Sequence, residues 1–140
     1  MKFANRERFP EADLVIVEEF KPAASQMTLG ANSYAVVVTR GHRGDADALE
    51  AVLGRGLRYV GLLGSKPKLV HIAAALEERG LPAERLAEIR CPLGLEIGAQ
   101  SPEEIAVSIL AEMIAVRRGV EPGRIGPMKM ELPGRLRVSR

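Results

Sequence analysis

Apolar residues fall along the chain in short blocks separated by stretches of helical period. Leu14-Val15-Ile16-Val17 is a short β-branched block. Residues 34–39 and 59–63 are nearly continuous apolar runs, the pattern of strands buried on both faces. Residues 87–91 alternate more and read as a weaker edge strand. Between these blocks, residues 45–55 carry Ala48, Leu49, Val52 and Leu53 at helical spacing, and Gly54 and Gly56 end the pattern. Residues 66–79 place Leu69, Ile72, Ala73 and Leu76 on one face, with Gly80 just beyond the end. A third helix opens at Ser101-Pro102-Glu103-Glu104, an N-cap followed by a proline at the first helical position and a glutamate three residues after the cap. Ile105, Ile109, Met113 and Val116 form its stripe, Leu110 and Ile114 widen it, and Arg117, Arg118 and Gly119 close it.

Strand, helix, strand, helix is the order of an α/β fold with a parallel sheet. Right-handed crossovers then gather the loops that follow the strands along one sheet edge, where such folds bind ligands. The length of 140 residues suits one domain, and 46% apolar with 27% charged residues is ordinary globular usage. A net charge of +2 and 4% aromatics argue against a nucleic-acid partner. The single cysteine, Cys91, excludes an internal disulfide and a Cys-x-x-Cys metal site. No apolar run is long enough to span a membrane or to serve as a signal peptide, so the expectation is a cytoplasmic protein. Residues 1–119 are expected to form the domain, and residues 120–140, with three prolines and three glycines, an extended tail.

Three loops are placed to carry chemistry. In Thr39-Arg40-Gly41-His42-Arg43-Gly44-Asp45, two glycines permit a tight turn and the arginines add positive charge. His42 suits a ligand, a base or a hydrogen-bond donor; the plainer reading is a strand-to-helix turn with Asp45 as its cap. A lone histidine makes a poor metal site. Gly61-Leu62-Leu63-Gly64-Ser65-Lys66-Pro67-Lys68 leaves a strand and enters a helix. Its glycines let backbone N–H groups approach an anion, and Ser65 serves either as a plain cap or as a phosphate contact beside Lys66. The third loop, residues 91–101, is apolar with Gly94 and Gly98 and carries Glu96 between Leu95 and Ile97. Glu96 is either an exposed loop residue or, if buried, a carboxylate that needs partners. Cys91 reads as a small buried hydrophobe rather than a nucleophile. The sequence holds no supported nucleophile–base pair, carboxylate dyad or metal cluster, which points to binding rather than catalysis.

Taken together, residues 36–42, 59–68, 92–99 and 101–112 resemble the carboxy-terminal Rossmann domain of the XdhC/CoxI family, accessory proteins of the molybdenum hydroxylases xanthine dehydrogenase and carbon monoxide dehydrogenase. The resemblance runs over about residues 3 to 119. It implies a non-enzymatic maturation factor that binds the molybdenum cofactor (molybdopterin), assists its insertion into a molybdoenzyme apoprotein, and works beside a cysteine desulfurase. Carried onto this chain, the binding residues are Thr39, Gly41, His42, Gly61, Gly64, Ser65, Lys66, Gly94, Glu96 and Gly98. The cofactor's phosphate suits the glycine–serine–lysine turn, and its pterin suits Glu96.

The resemblance also implies a Rossmann-like parallel sheet of about four strands with flanking helices, lacking the first βαβ unit and its glycine-rich turn. The alternatives are an NAD(P)-binding oxidoreductase fragment, against which that omission speaks, and a purely structural assembly subunit. It also leaves residues 34–39 as an unpaired apolar edge, which invites a homodimer. The central geometric expectation is that the turns around His42, Ser65 and Glu96 meet at one rim.

Overall fold

The computed structural model describes residues 4–120 and 122–128. The elements run α1 (Phe20–Ser25), β1 (Tyr34–Val37), α2 (Gly41–Val52), β2 (Tyr59–Leu62), α3 (Lys66–Glu78), α4 (Ala83–Leu86), β3 (Ile89–Arg90) and α5 (Pro102–Arg118), then a 3-10 turn at Pro122–Arg124. The three strands form one parallel sheet in the order β1-β2-β3. Tyr34 pairs with Tyr59 and Val37 with Leu62, while Val60 pairs with Ile89 and Gly61 with Arg90. This is a parallel α/β sheet flanked by helices, as a Rossmann-like domain requires.

Strand alternation divides the molecule into two layers. Val37, Val60, Leu62 and Ile89 point to one face, where they join Ala46, Leu49 and Leu53 of α2 and its following turn and Ile72 and Leu76 of α3 in the core. Tyr34, Tyr59, Gly61 and Arg90 belong to the other face. There the Tyr34 and Tyr59 rings lie 6.2 Å apart, and the Arg90 guanidinium sits 5.8 Å from the Tyr59 ring centre. Helix α5 covers this second face over β2. The Tyr59 hydroxyl donates to Glu112 Oε1 at 2.5 Å, and Arg58 donates to the Arg117 carbonyl at 3.0 Å. Burial and the neighbouring Glu112 carboxylate both hold the Tyr59 hydroxyl protonated far above the usual phenol range. Gly61 is required here by packing: a Cβ would lie 2.8 Å from the Tyr59 ring and 3.0 Å from Leu93.

Helix α5 starts and stops as its sequence predicts. Ser101 Oγ accepts from the Glu104 N–H at 3.2 Å, while Glu104 Oε1 accepts from the Ser101 N–H at 2.9 Å, a complete capping box. Gly119 ends the helix at φ 68°. Helix α1 lies outside the predicted elements. Arg55 fastens its carboxyl end by donating to the carbonyls of Ala24 and Met27 at 2.6 and 3.0 Å, and Lys21 pairs with Glu50 at 2.7 Å.

Three expectations are corrected. The sheet has three strands among the described residues, not four: Leu14-Val15-Ile16-Val17 is irregular chain with Leu14 and Val17 exposed, and no described strand pairs with it. The weak fourth segment contracts to Ile89–Arg90. Asp45 is not a cap, because α2 begins four residues earlier, at Gly41 with Arg40 as N-cap, and Asp45 is fully buried one turn inside. Within the expected tail, Pro122–Arg124 forms a 3-10 turn, and residues 121 and 129–140 lie outside the described residues, so the extended-tail expectation is not among these corrections.

Candidate functional site

The carboxyl ends of β1 and β2 each lead within a few residues into a helix N-terminus. After β1, Gly41 takes φ 76°, a left-handed conformation that favours glycine, so the chain turns directly into α2. Gly41 is exposed, with nothing within 4 Å of where a Cβ would stand. His42 is the second residue of α2; its side chain lies outside the described part of the structure. After β2, Ser65 caps α3, its hydroxyl accepting from the Lys68 N–H at 3.4 Å. Ser65 and Lys66 are both exposed at this helix start. Two sets of first-turn N–H groups thus open at one edge of the sheet, the arrangement that favours an anion.

What binds these turns together is a buried ion pair. Thr39 Oγ1 donates to Asp45 Oδ1 at 2.5 Å. Lys68 Nζ stands 2.8 Å from Asp45 Oδ2 and donates to the Leu63 carbonyl at 2.9 Å. Asp45 contacts Lys68 as an ion pair rather than as an aligned hydrogen bond. The Lys68 stem reaches this position by lying over Gly64, where a Cβ would come within 2.5 Å of Cδ. Gly44 makes similar room for Thr39, 2.9 Å from its Oγ1. A carboxylate taken wholly out of water requires such partners, and both come from segments leaving the sheet.

Cys91, just past the end of β3, faces the same cluster. Its thiol lies 3.5 Å from the Gly64 carbonyl oxygen and 3.7 Å from that of Ser65. Burial pushes the thiol up, with Lys68 pulling the other way and Asp45 adding to the rise. A protonated, half-buried thiol that donates to two carbonyls acts as a fastener between loops.

Of the residues the sequence singles out, Thr39, Gly41, Gly64, Ser65 and Lys66 lie on or beside this edge. Gly61 lies inside β2 under Tyr59 and belongs to the packing. Gly94, at φ 95°, packs on α5, where a Cβ would meet Ser108 Oγ at 2.5 Å, and its N–H donates to Glu112 at 2.9 Å. Gly98 at φ 77° stands in open space. Glu96 is exposed, and no hydrogen bond or ion pair among the described residues ties it to the first two turns. The third turn therefore meets the other two through Cys91, not through Glu96.

Sequence reasoning missed the linking roles of Asp45 and Lys68, and the carboxylate that is engaged by the third loop is Glu112. The position of Glu112, one helical turn after Ser108 on the inner face of α5, was its available signal. A separate cavity of about 400 Å³ lies on the α5 side of the sheet, walled by Arg90, Leu95, Glu112, Val116, Val120 and Ile125. None of the sequence-predicted site residues lines it. The described residues hold no group of three His, Cys, Asp or Glu able to take a metal ion. No described helix is long and apolar enough to cross a membrane.

Comparison with known proteins gives a consistent result. The XdhC Rossmann domain matches residues 1–113. The chain is 30% identical over 120 residues to a protein of Escherichia coli (strain K12) named uncharacterized protein YqeB, a match covering 85% of this chain and 22% of that protein. It is 34% identical over 112 residues to a Bacillus subtilis (strain 168) protein named as a probable xanthine dehydrogenase subunit, covering 80% of this chain and 32% of its relative. The crystal structure of a xanthine dehydrogenase from Bacillus halodurans superposes with a TM-score of 0.70 at 30% identity, over 88% of this chain and 34% of that one. The chain spans no more than about a third of the length of these relatives.

Proposed function

This chain belongs to the XdhC family through its Rossmann domain, and from that premise we propose that it is an accessory protein of a xanthine dehydrogenase-type molybdenum hydroxylase, binding the molybdenum cofactor and assisting its transfer to the apoenzyme. The link to xanthine dehydrogenase follows the family and its named relatives. The observation that carries the binding reading is the paired helix entry at the sheet edge, fixed by the Thr39–Asp45–Lys68 cluster.

The donor set suits the two ends of the cofactor unequally. For a phosphate monoester, the starts of α2 and α3 offer backbone N–H groups at Gly41 and around Ser65, and Lys66 adds an exposed cation. The phosphate end fits. For the pterin end, Glu96 is available at the surface but is held by no neighbour among the described residues, so it would have to be ordered by the ligand. Asp45 is engaged internally and does not offer its oxygens. When bound, the cofactor supplies the molybdenum chemistry of the recipient enzyme. This chain's residues hold the phosphate, keep the loops in register through Lys68, and keep the nearby thiol protonated.

The test uses cofactor released anaerobically from a molybdoenzyme, mixed with the protein and passed over a sizing column. Pterin fluorescence, developed by oxidation of the protein fractions, is expected to elute with the wild-type chain. Lys66→Glu, at an exposed site where the fold is indifferent, is expected to lower retained pterin roughly tenfold, the loss typical of a charge-assisted phosphate contact. Absence of pterin from the wild-type fractions, or equal retention by Lys66→Glu, would contradict the reading.

A further inference from the structure

Helix α5 presents two faces, and among the described residues only one is engaged. Ser108 is buried, and Glu112 holds the Tyr59 hydroxyl and the Gly94 N–H, which defines the inner side of the helix. At about 100° per residue, Val116 stands on one flank, and there it lines the cavity beside Arg90 of β3. Val107, Leu110 and Ile114 stand on the opposite, outward flank, at exposures of 59%, 58% and 59%. On the face of the sheet that α5 covers, Val36 and Val38 of the β1 edge segment are also exposed. Three large aliphatic side chains at spacings of three and four make a helical seam that the described chain does not cover.

The pattern along that seam identifies what covers it. About a point between Leu110 and Ala111, reflection pairs Val107 with Ile114, both aliphatic, and pairs Glu103 with Arg118 and Glu104 with Arg117, each an acid with a base. The acidic first turn and basic last turn are both present in α5. A second α5 laid antiparallel over the seam would therefore place aliphatic on aliphatic at the centre, with Ala111 small enough to admit Leu110, and acid beside base at both ends. The same two-fold operation satisfies both halves at once, as an isologous interface requires. A parallel arrangement would set glutamates against glutamates and arginines against arginines. The four-residue β1 edge offers a far shorter template for pairing.

We propose that the outward face of α5 docks a second copy of this chain in an antiparallel helix pair centred between Leu110 and Ala111. This goes beyond the proposed cofactor role and does not depend on it, since the sheet edge that carries the helix entries is elsewhere on the molecule.

The test is the mass in solution, by light scattering and sedimentation equilibrium, over about 1 to 100 µM. The wild-type chain is expected to reach twice its 15.2 kDa within this range. Leu110→Glu is expected to remain monomeric with its helical circular dichroism intact. Glu103→Arg is expected to weaken the dimer roughly tenfold, and Glu103→Arg combined with Arg118→Glu to restore it, because in the antiparallel register the swapped charges meet again across the dyad. A wild-type chain that stays monomeric throughout overturns the proposal. So does a dimer indifferent to Leu110→Glu, which would assign association to another surface such as the β1 edge, or a double variant no better than Glu103→Arg alone, which would reject the antiparallel register.

Discussion

Lys68 changes role between sequence and structure. As a residue two places beyond Lys66 in a glycine–serine turn, it reads as one more positive charge for a ligand. In the folded chain it is spent internally, on Asp45 and on the Leu63 carbonyl. The difference comes from where α2 begins. With Gly41 in the left-handed region the helix starts early, and Asp45 is carried inside, where it must be paired. Lys66, exposed at the helix start, is left as the cation that faces outward. Cys91 follows the same logic of burial. Because burial raises its pKa, less of it is thiolate at neutral pH than in an exposed cysteine. Alkylation by iodoacetamide, followed by mass spectrometry, is expected to be slower than that of a free cysteine peptide at pH 7. The rate should keep climbing with pH after the peptide's rate has levelled off. Equal rates at pH 7 and a shared plateau would show that the thiol is not held as described.

At the scale of elements, local signals were sufficient wherever the chain supplied both ends of an element. Ser101, Pro102 and Glu104 start α5 and Gly119 stops it, and the observed helix keeps those bounds. The cap itself is expected to contribute: Ser101→Ala should lower stability by about 1 kcal/mol in urea unfolding, with Ser101→Gly costing less. A loss near zero for Ser101→Ala would mean that the glutamate half of the box suffices. Elements failed where their existence depended on a neighbour. Leu14-Val15-Ile16-Val17 has strand composition, but a strand is stabilised by cross-strand pairing, and no described strand lies beside it. Helix α1 was missed for the converse reason. Its six residues carry no side-chain cap, and it is held by Arg55 and by the Lys21–Glu50 pair to a distant helix. Both are tertiary facts that no local pattern encodes.

On the scale of the whole molecule, parallel α/β topology was legible from the order of apolar runs, and with it the edge where the loops gather. Two of the three turns do meet there, joined by Thr39, Asp45 and Lys68, and the end of β3 adds Cys91. Glu96 was not legible as an outlier, because the third loop does not stop at the sheet edge; it folds back on α5 through Gly94 and Leu95, whose N–H groups donate to Glu112 and to the Ser108 carbonyl. Gly94 serves that packing. The account therefore stands on the α2 and α3 entries acting as one anion cradle. Its most direct test is backbone amide NMR during titration with a pterin bearing a phosphate monoester. The expected result is a saturable group of shifts at Gly41, His42, Gly64, Ser65 and Lys66, with Arg90, Val116 and Val120 unchanged. Shifts confined to the cavity beside α5, or none at saturating pterin phosphate, would contradict it.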